Sequence, residues 1–114
     1  MSSCIFCDIA AGHTDAELVL EDERAVAFAD INPQAPVHLL VIPRKHIASL
    51  AEASEEDEDL LGHLLLLGAR LAREQGIQDA GFRAVFNTNA HAGQTVYHIH
   101  LHILGGRSMK WPPG

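Results

Sequence analysis

Residues 98–104, with the sequence His-Ile-His-Leu-His-Ile-Leu, restrict the fold more than any other segment of the chain. Side chains alternate between the two faces of a β-strand, and each residue advances the strand by about 3.3 Å. A strand over residues 97–104 would place His98, His100 and His102 on one face, with neighbours about 6.6 Å apart. The apolar residues between them would face the other way. The pattern therefore predicts a sheet with one face on an apolar core and an imidazole-bearing face toward a cleft.

Three aligned imidazoles are compatible with three kinds of surface. They can bind a metal ion, bind and attack a phosphoryl group, or form an ordinary solvated face. The solvated face is disfavoured, because repeated histidine is uncommon on strands, where Thr is favoured among polar residues. The residues alone leave the metal and the phosphoryl-transfer interpretations open.

The remainder of the chain predicts four more strands. Alternating residues 17–31, with an acidic turn at 21–23, indicate a hairpin that is followed by a Pro-containing loop at 32–36. Single strands are predicted at 37–42 and at 82–87, and a polar loop over 88–95 leads from the second of them to the histidine strand. Strands that follow one another around a single long helix favour the α+β class with an antiparallel sheet.

The long helix is predicted between Ser54, which can cap it, and Gly76, which ends it. Asp57 sits at the position that completes a capping box. The leucines cover more than the single stripe that a surface helix needs, which indicates burial on two sides, the second against another subunit. A helix that is merely rich in leucine and leaves some of it exposed is the alternative. These leucines are Leu60, Leu61, Leu64, Leu65, Leu66, Leu67 and Leu71.

Length and net charge limit the classes of protein to which the chain can belong. The 114 residues are 47% hydrophobic and suit one domain over residues 1–114. A net charge of -7 disfavours nucleic-acid binding, which depends on Lys and Arg at phosphates. No apolar run reaches the length of a membrane span and the N-terminus does not resemble a signal peptide, so a cytoplasmic location is expected. In that compartment, Cys4 and Cys7 are expected to be thiols or metal ligands rather than a disulfide.

The histidine segment closely resembles the defining motif of the histidine triad (HIT) family. Four other segments are similar to the same family: Asp-Ile-Asn-Pro-Gln-Ala-Pro-Val-His at 30–38, Leu-Val-Ile-Pro at 40–43, Gly-Gln-Thr-Val-Tyr at 93–97 and Gly-Gly-Arg at 105–107. Trp-Pro-Pro-Gly at 111–114 resembles the Hint-type branch, the nucleoside phosphoramidases. The resemblance implies a HIT-like fold: a five-stranded antiparallel sheet, one long helix, a short N-terminal helix, and two such sheets joined across a homodimer.

The reaction that the resemblance implies is hydrolysis of the P–N bond of purine nucleoside 5′-phosphoramidates, of the AMP-amine, GMP-amine or aminoacyl-adenylate type. His100 would be the nucleophile and form a nucleotidyl-histidine, while His102, His38 and His98 complete the catalytic set. No cofactor is required for this chemistry. The alternatives are a dinucleoside polyphosphate hydrolase and a non-catalytic nucleotide-binding adaptor.

The resemblance also implies the residues that contact substrate. Asp30 would bind the ribose, because one carboxylate can accept hydrogen bonds from the 2′ and 3′ hydroxyls. Asn87, Gln94 and Thr95 would donate to the phosphate or the leaving group, and Trp111 would lie near the partner's site. The base would be enclosed by Ile5, Phe6, Ile9, Phe28, Ile31 and Leu40, and a sandwich of this kind favours a purine.

Some members of the family with this Cys-Ile-Phe-Cys N-terminus hold a zinc ion, so the resemblance implies a possible structural zinc site here. Here the four ligands would be Cys4, Cys7, His46 and His98, which match the four protein donors of a structural zinc site. The alternative is a pair of reduced, buried cysteines without metal. A thioredoxin-like redox role is weaker, because the pair has no βαβ context.

Overall fold

A five-stranded antiparallel sheet forms the centre of the computed structural model, which describes residues 4–114. The strands lie in the order β1-β2-β3-β5-β4. They are β1 Leu18–Glu21, β2 Ala25–Ala29, β3 Val37–Pro43, β4 Phe82–Val85 and β5 Leu101–Gly105. The helices are α1 Ile5–Ala10 and α2 Glu58–Glu74, with short 3-10 turns at Leu50–Glu52, Glu55–Asp57 and Ala90–Ala92. The predicted α+β class, the hairpin and the single long helix are confirmed.

The two faces of the sheet carry different helices. On one face α2 buries Leu64, Leu67 and Leu71 against alternate residues of β2, β3 and β5, including Leu101 and Ile103. On the opposite face the short helix α1 packs against the other alternate residues, among them Val26, Phe28, Leu40 and Ile42. The strand period of two thus separates a larger core beneath α2 from a smaller one beneath α1. No helix within residues 4–114 is long and apolar enough to cross a lipid bilayer.

The long helix begins as its sequence predicts. The Asp57 carboxylate accepts the main-chain N–H of Ser54 at 3.0 Å, and the 3-10 turn leads directly into α2. Gly76 follows the helix with a φ of +74°, the left-handed conformation that ends helices. Leu65 and Leu66 remain 47% and 74% exposed. One apolar stripe of the helix therefore packs against the core, and a second apolar stripe faces outward.

The histidine strand is shorter than its sequence predicts. The prediction of a strand over residues 97–104 is wrong at its start, because the sheet ladder begins at Leu101 and runs to Gly105. Before it, the N–H of Ile99 donates to the carbonyl of Ile47 at 2.7 Å, which takes this segment out of the ladder. Only His102 of the three histidines therefore lies in the strand, opposite Leu40 of β3. The strand predicted at 82–87 is present as β4, which pairs antiparallel with β5 and ends at Val85 rather than at residue 87.

Candidate active site

A cavity of about 500 Å³ opens on the α1 side of the sheet. Cavities of this size accommodate small-molecule ligands, and an apolar wall with a few converging polar groups is typical of them. The polar end of this cavity carries Asp30, His100 and His102. The wall consists of Ile5, Phe6, Ile9, Thr14, Ala16, Phe28, Ile31, Leu40, Thr95 and Val96.

The cavity brings together every apolar residue that the resemblance assigned to the base. It also includes three residues that sequence reasoning missed, namely Thr14, Ala16 and Val96. Thr14 and Ala16 lie in the loop between α1 and β1, which has no periodic pattern that could place them. Val96 lies inside the family-like segment 93–97. It could have been predicted from its position next to Thr95, which the resemblance had already assigned to the substrate site.

His100 has a fixed proton arrangement. Its Nδ1 lies 2.8 Å from the carbonyl oxygen of His98. Since a carbonyl oxygen can only accept, Nδ1 carries the hydrogen, and Nε2 of the neutral ring keeps its lone pair. The ring is buried and lies edge-on to Phe6, with ring centroids 5.0 Å apart. The cavity therefore contains an imidazole nitrogen that is ready to act as a nucleophile or a base.

His38 and His102 form a second oriented pair. The main-chain N–H of Gln34 donates to Nδ1 of His38 at 3.0 Å, so the hydrogen of that ring is on Nε2. Nε2 of His38 lies 2.9 Å from Nδ1 of His102 and donates to it. Nε2 of His102 is then the protonated nitrogen. His102 can therefore offer a hydrogen to an anion in the cavity while it remains neutral.

Burial keeps this pair uncharged near neutral pH. It lowers the pKa of His102 to about 4, with further lowering from His100 and His38. Burial also lowers the pKa of His38, and Asp30 partly opposes that effect from 3.4 Å, the distance between its Oδ2 and Nε2 of His38. The other carboxylate oxygen of Asp30 accepts the N–H of Asn32 at 2.8 Å. Asp30 is thus held at the polar end of the cavity with one face toward it.

Three predicted substrate residues do not line the cavity of the described chain. Gln94 is buried, and its amide nitrogen donates to the carbonyls of Ala48 at 2.8 Å and Val96 at 3.0 Å. Its amide oxygen accepts the N–H of Asn89 at 2.8 Å, so the side chain holds the loop that carries Thr95. Asn87 is half-buried just beyond β4, and Trp111 is 83% exposed on the C-terminal tail.

The four predicted metal ligands come together beside the cavity. Nδ1 of His98 lies 3.4 Å from Sγ of Cys4, 3.5 Å from Sγ of Cys7 and 3.3 Å from Nδ1 of His46. Sγ of Cys7 is 3.3 Å from Nδ1 of His46. Tetrahedral zinc with ordinary bond lengths places sulfur and nitrogen ligands about 3.6 Å apart and two nitrogens about 3.3 Å apart. The donor set and its spacing therefore fit a structural zinc ion.

The tautomer of His98 agrees with a ligand role. Its Nε2 lies 2.8 Å from the carbonyl oxygen of Pro43 and donates to it, which leaves the lone pair on Nδ1, the atom that faces the thiols. The ring is fully buried, and burial lowers its pKa. His98 thus contributes its side chain to the group formed by Cys4, Cys7, His46 and His98, the Cys/His cluster, and its carbonyl to the hydrogen bond that orients His100.

The three triad histidines do not converge on one point. Within residues 4–114, the His, Cys, Asp and Glu groups close enough to hold an ion are the Cys/His cluster and the trio Asp30, His38 and His102. Nδ1 of His98 faces the thiols, whereas Nδ1 of His100 is occupied by a carbonyl. The interpretation of His98, His100 and His102 as three ligands of one metal is therefore wrong.

The chain is similar to known proteins over nearly its whole length. The family model described as "Scavenger mRNA decapping enzyme C-term binding" matches residues 3–111. An uncharacterized HIT-like protein of Synechococcus elongatus is 52% identical over 110 residues, which are 96% of each chain. The 14 kDa zinc-binding protein of Zea mays is 45% identical over 115 residues, covering 99% of this chain and 89% of that protein. The crystal structure of a HIT family hydrolase from Legionella pneumophila superimposes with a TM-score of 0.96 at 52% identity and covers 98% of this chain and all of that one.

Proposed function

Because the chain belongs to the histidine triad family, we propose that it is a nucleoside phosphoramidase, a hydrolase that cleaves the P–N bond of purine nucleoside 5′-phosphoramidates. The observation that carries the proposal is the tautomer of His100. Its Nδ1 donates to the His98 carbonyl, so a lone pair on Nε2 is available in a cavity that has room for a nucleotide.

The reaction proceeds in two displacements. Nε2 of His100 attacks phosphorus, the P–N bond of the substrate breaks, and its electron pair leaves with the amine, which takes a proton from solvent water. Water then attacks phosphorus of the nucleotidyl-histidine and gives up a proton to solvent. The bond from phosphorus to His100 breaks, its electron pair returns to Nε2, and the nucleoside monophosphate is released. Two in-line displacements leave the configuration at phosphorus unchanged. In aminoacyl-adenylates the bond that breaks in the first displacement is P–O, and its electron pair leaves with the carboxylate, which needs no proton.

His102 and His38 stabilise the phosphoryl group in this scheme. The Nε2–H of His102 donates to a non-bridging phosphate oxygen, and a donor placed in advance costs little reorganisation during the reaction. His38 fixes the orientation of that donor through its 2.9 Å hydrogen bond, rather than binding the phosphate itself. Thr95 at the cavity wall supplies a hydroxyl near the leaving group.

The nucleoside occupies the remainder of the cavity. Asp30 accepts hydrogen bonds from the two ribose hydroxyls, and the apolar wall formed by Phe6, Phe28, Leu40 and their neighbours sandwiches the base. Phe6 and Phe28 are edge-on, with ring centroids 5.6 Å apart, which gives the wall a rigid aromatic corner. A purine fills such a wall better than a smaller pyrimidine does.

The Cys/His cluster holds a structural zinc ion in this proposal. A relative that is 45% identical is named a zinc-binding protein, and the four donors of this chain have the spacing that zinc requires. Zinc binds thiolates, so the site needs reduced cysteines, as found in the cytoplasm. The ion joins the N-terminus of α1 to the segment before β5 and leaves His100 unoccupied.

The protein is a homodimer in this proposal. Leu65 and Leu66 form an exposed apolar stripe on α2, and β4 is an edge strand of the sheet. A second copy that covers both would bury apolar surface and satisfy the open strand edge. Light scattering on the wild type and on Leu66→Glu tests this point: the wild type should have twice the mass of the chain and the variant should dissociate.

The experiment for the activity compares two substrates and three proteins. A fluorogenic adenosine 5′-phosphoramidate and a diadenosine polyphosphate are incubated with the wild type, with His100→Ala and with His13→Ala, which replaces an exposed histidine outside the cavity. Cleavage of the phosphoramidate that is lost only in His100→Ala supports the proposal. Preferential cleavage of the polyphosphate would place the protein with the dinucleoside polyphosphate hydrolases. Nucleotide binding without turnover of either substrate would identify an adaptor.

A further inference from the structure

The Gly-Gly-Arg segment at 105–107 ends the histidine strand and has no role in the scheme above. Nε of Arg107 donates to the carbonyl oxygen of Gln34 at 3.0 Å, and its Nη1 donates to the carbonyl of Ser108 at 3.1 Å. Gln34 is the residue whose main-chain N–H donates to Nδ1 of His38. We propose that Arg107 is a positioning residue for the His38–His102 pair and acts through the loop at residues 32–36. The expected effect of Arg107 on turnover rests on the proposed function, whereas its expected effect on the tautomers of His38 and His102 does not.

The loop needs support because it has little regular structure of its own. Two of its five residues are prolines, which have no N–H to donate. At its start, the N–H of Asn32 is held by Asp30. At its end, Gly106 lies so close to Pro36 that a Cβ on the glycine would be 2.9 Å from the proline Cβ, and its φ is +90°. Arg107 adds a hydrogen bond at the centre of the loop, on the residue that contacts His38.

Two groups fix where the hydrogens of the pair lie: the Gln34 N–H donates to Nδ1 of His38, and the Asp30 carboxylate lies 3.4 Å from its Nε2. With this donor in place, Nδ1 of His38 must accept, so His38 donates to His102 and His102 keeps its hydrogen on Nε2. If the donor moved away, His38 could carry its hydrogen on Nδ1 and present a lone pair to His102. His102 would then place its own hydrogen on Nδ1 and turn a lone pair toward the phosphate oxygen. The second arrangement repels the anion that the first one binds.

The choice of tautomer matters because a neutral imidazole has only one hydrogen to place. Burial lowers the pKa of His38 and of His102, so neither ring is expected to carry two hydrogens near pH 7. A doubly protonated ring could donate from both nitrogens without help from the loop, whereas a neutral ring has one hydrogen to place. The loop contact is the only hydrogen bond to Nδ1 of His38 within residues 4–114.

The experiment measures the tautomers directly. Proteins with 15N-labelled imidazoles are compared by long-range 15N–1H correlation spectra for the wild type, Arg107→Ala, Arg107→Lys and Arg70→Ala. Arg70 pairs with Glu74 on the surface of α2 and provides the matched loss of an exposed arginine. In Arg107→Ala, the spectra of His38 and His102 should shift toward a mixture of tautomers. Arg107→Lys should restore part of the wild-type spectrum, because the ammonium can still donate to the Gln34 carbonyl.

Kinetics provide the second measurement. Turnover of the phosphoramidate by Arg107→Ala should fall about tenfold in kcat with little change in KM, the scale of one hydrogen bond to a charged group, and Arg70→Ala should match the wild type. A lower melting temperature in Arg107→Ala without any change in the His38 and His102 spectra would overturn the proposal, since it would show a purely structural contact. Unchanged spectra and unchanged kcat would overturn it as well. If the wild type does not cleave phosphoramidates, the proposed function fails, whereas the spectra still decide the role of Arg107.

Discussion

The carbonyl oxygen of His98 accepts a hydrogen bond from Nδ1 of His100 at 2.8 Å, while the side chain of His98 lies in the Cys/His cluster. One residue thus contributes its main chain to the orientation of His100, the proposed nucleophile, and its imidazole to the candidate metal site. The two contributions are chemically separate, because a substitution removes the imidazole and leaves the carbonyl in the chain.

We therefore expect His98→Asn to lose metal affinity but to retain the nucleophile. His100 should keep its hydrogen on Nδ1 in 15N spectra, and kcat should stay within about tenfold of the wild type, whereas His100→Ala should lose about 10⁴-fold or more. Zinc content measured after dialysis should fall in His98→Asn and should stay at the wild-type level in His100→Ala. Loss of activity as large as that of His100→Ala, with a changed His100 spectrum, would show that the imidazole of His98 is itself required.

Removal of metal should lower the thermal stability of the wild type. An ion that binds the folded chain, and not the unfolded one, stabilises it by about 2.7 kcal/mol at 100 times its dissociation constant, so a chelator should lower Tm by roughly 5 to 15 °C. The double variant Cys4→Ser/Cys7→Ser should have a low Tm that the chelator does not change. Calorimetry with and without chelator checks this, and equal responses of the two proteins would exclude the cysteines as ligands.

The low pKa of His102 predicts a loss of stability in mild acid. Burial lowers this pKa from 6.5 to about 4, so the unfolded chain binds a proton between these values that the folded chain does not. Stability is fully present above about pH 6.5 and falls as the pH decreases toward 4. Because His102 is only partly buried, we expect about 1 kcal/mol between pH 7 and pH 5. Urea unfolding of the wild type should show this loss, and His102→Gln should show less of it.

Asp30 should determine preference for ribonucleotides. Its carboxylate can accept both ribose hydroxyls, so Asp30→Asn should weaken AMP binding by about tenfold, the scale of a hydrogen bond to a charged group. Binding of 2′-deoxy-AMP should change less, because it lacks one of the two hydroxyls. Calorimetric titration of both nucleotides into both proteins gives the comparison. An equal loss for the two nucleotides would indicate that Asp30 acts by holding Asn32 or His38 instead.

Sequence patterns predicted the parts of this site that depend on residue type. The alternation of His102 with Leu101 and Ile103 correctly places the imidazole and the core on opposite faces, because β5 is regular there. The strand that the same alternation predicts is absent at residues 98–100, although His100 still lines the cavity together with His102. There, a tertiary contact of Ile99 with Ile47 replaces the ladder, and no local pattern reports such a contact.

The sequence could not predict which main-chain N–H and C=O groups form hydrogen bonds with the histidines. The N–H of Gln34 and the carbonyl of His98 set the tautomers of His38 and His100, yet almost any residue type supplies the same groups. Conversely, the side chain of Gln94 was expected to donate to substrate because of its place in a motif. The structure commits both of its amide hydrogens to main-chain carbonyls, a role that depends on the fold around it.

Two glycines of α2 provide a matched test of how closely this helix lies on the histidine strand. A Cβ on the exposed Gly62 would have no atom within 4 Å, whereas a Cβ on the buried Gly68 would be 2.6 Å from Cδ1 of Ile103 and 3.1 Å from Cδ2 of Leu101. Alanine favours a helix over glycine by about 1 kcal/mol, so Gly62→Ala should raise the free energy of unfolding by about that amount when it is measured in the Leu66→Glu background, which removes the proposed dimer contact one turn away. Gly68→Ala has the same gain, but overpacking costs about 1 to 3 kcal/mol, and its net effect should be destabilising. The free energies of unfolding of Gly62→Ala and Gly68→Ala are compared by urea unfolding in the same background, so the gain in helix propensity that they share cancels. Equal stabilisation of the two variants would mean that α2 lies farther from β5 than the structure shows.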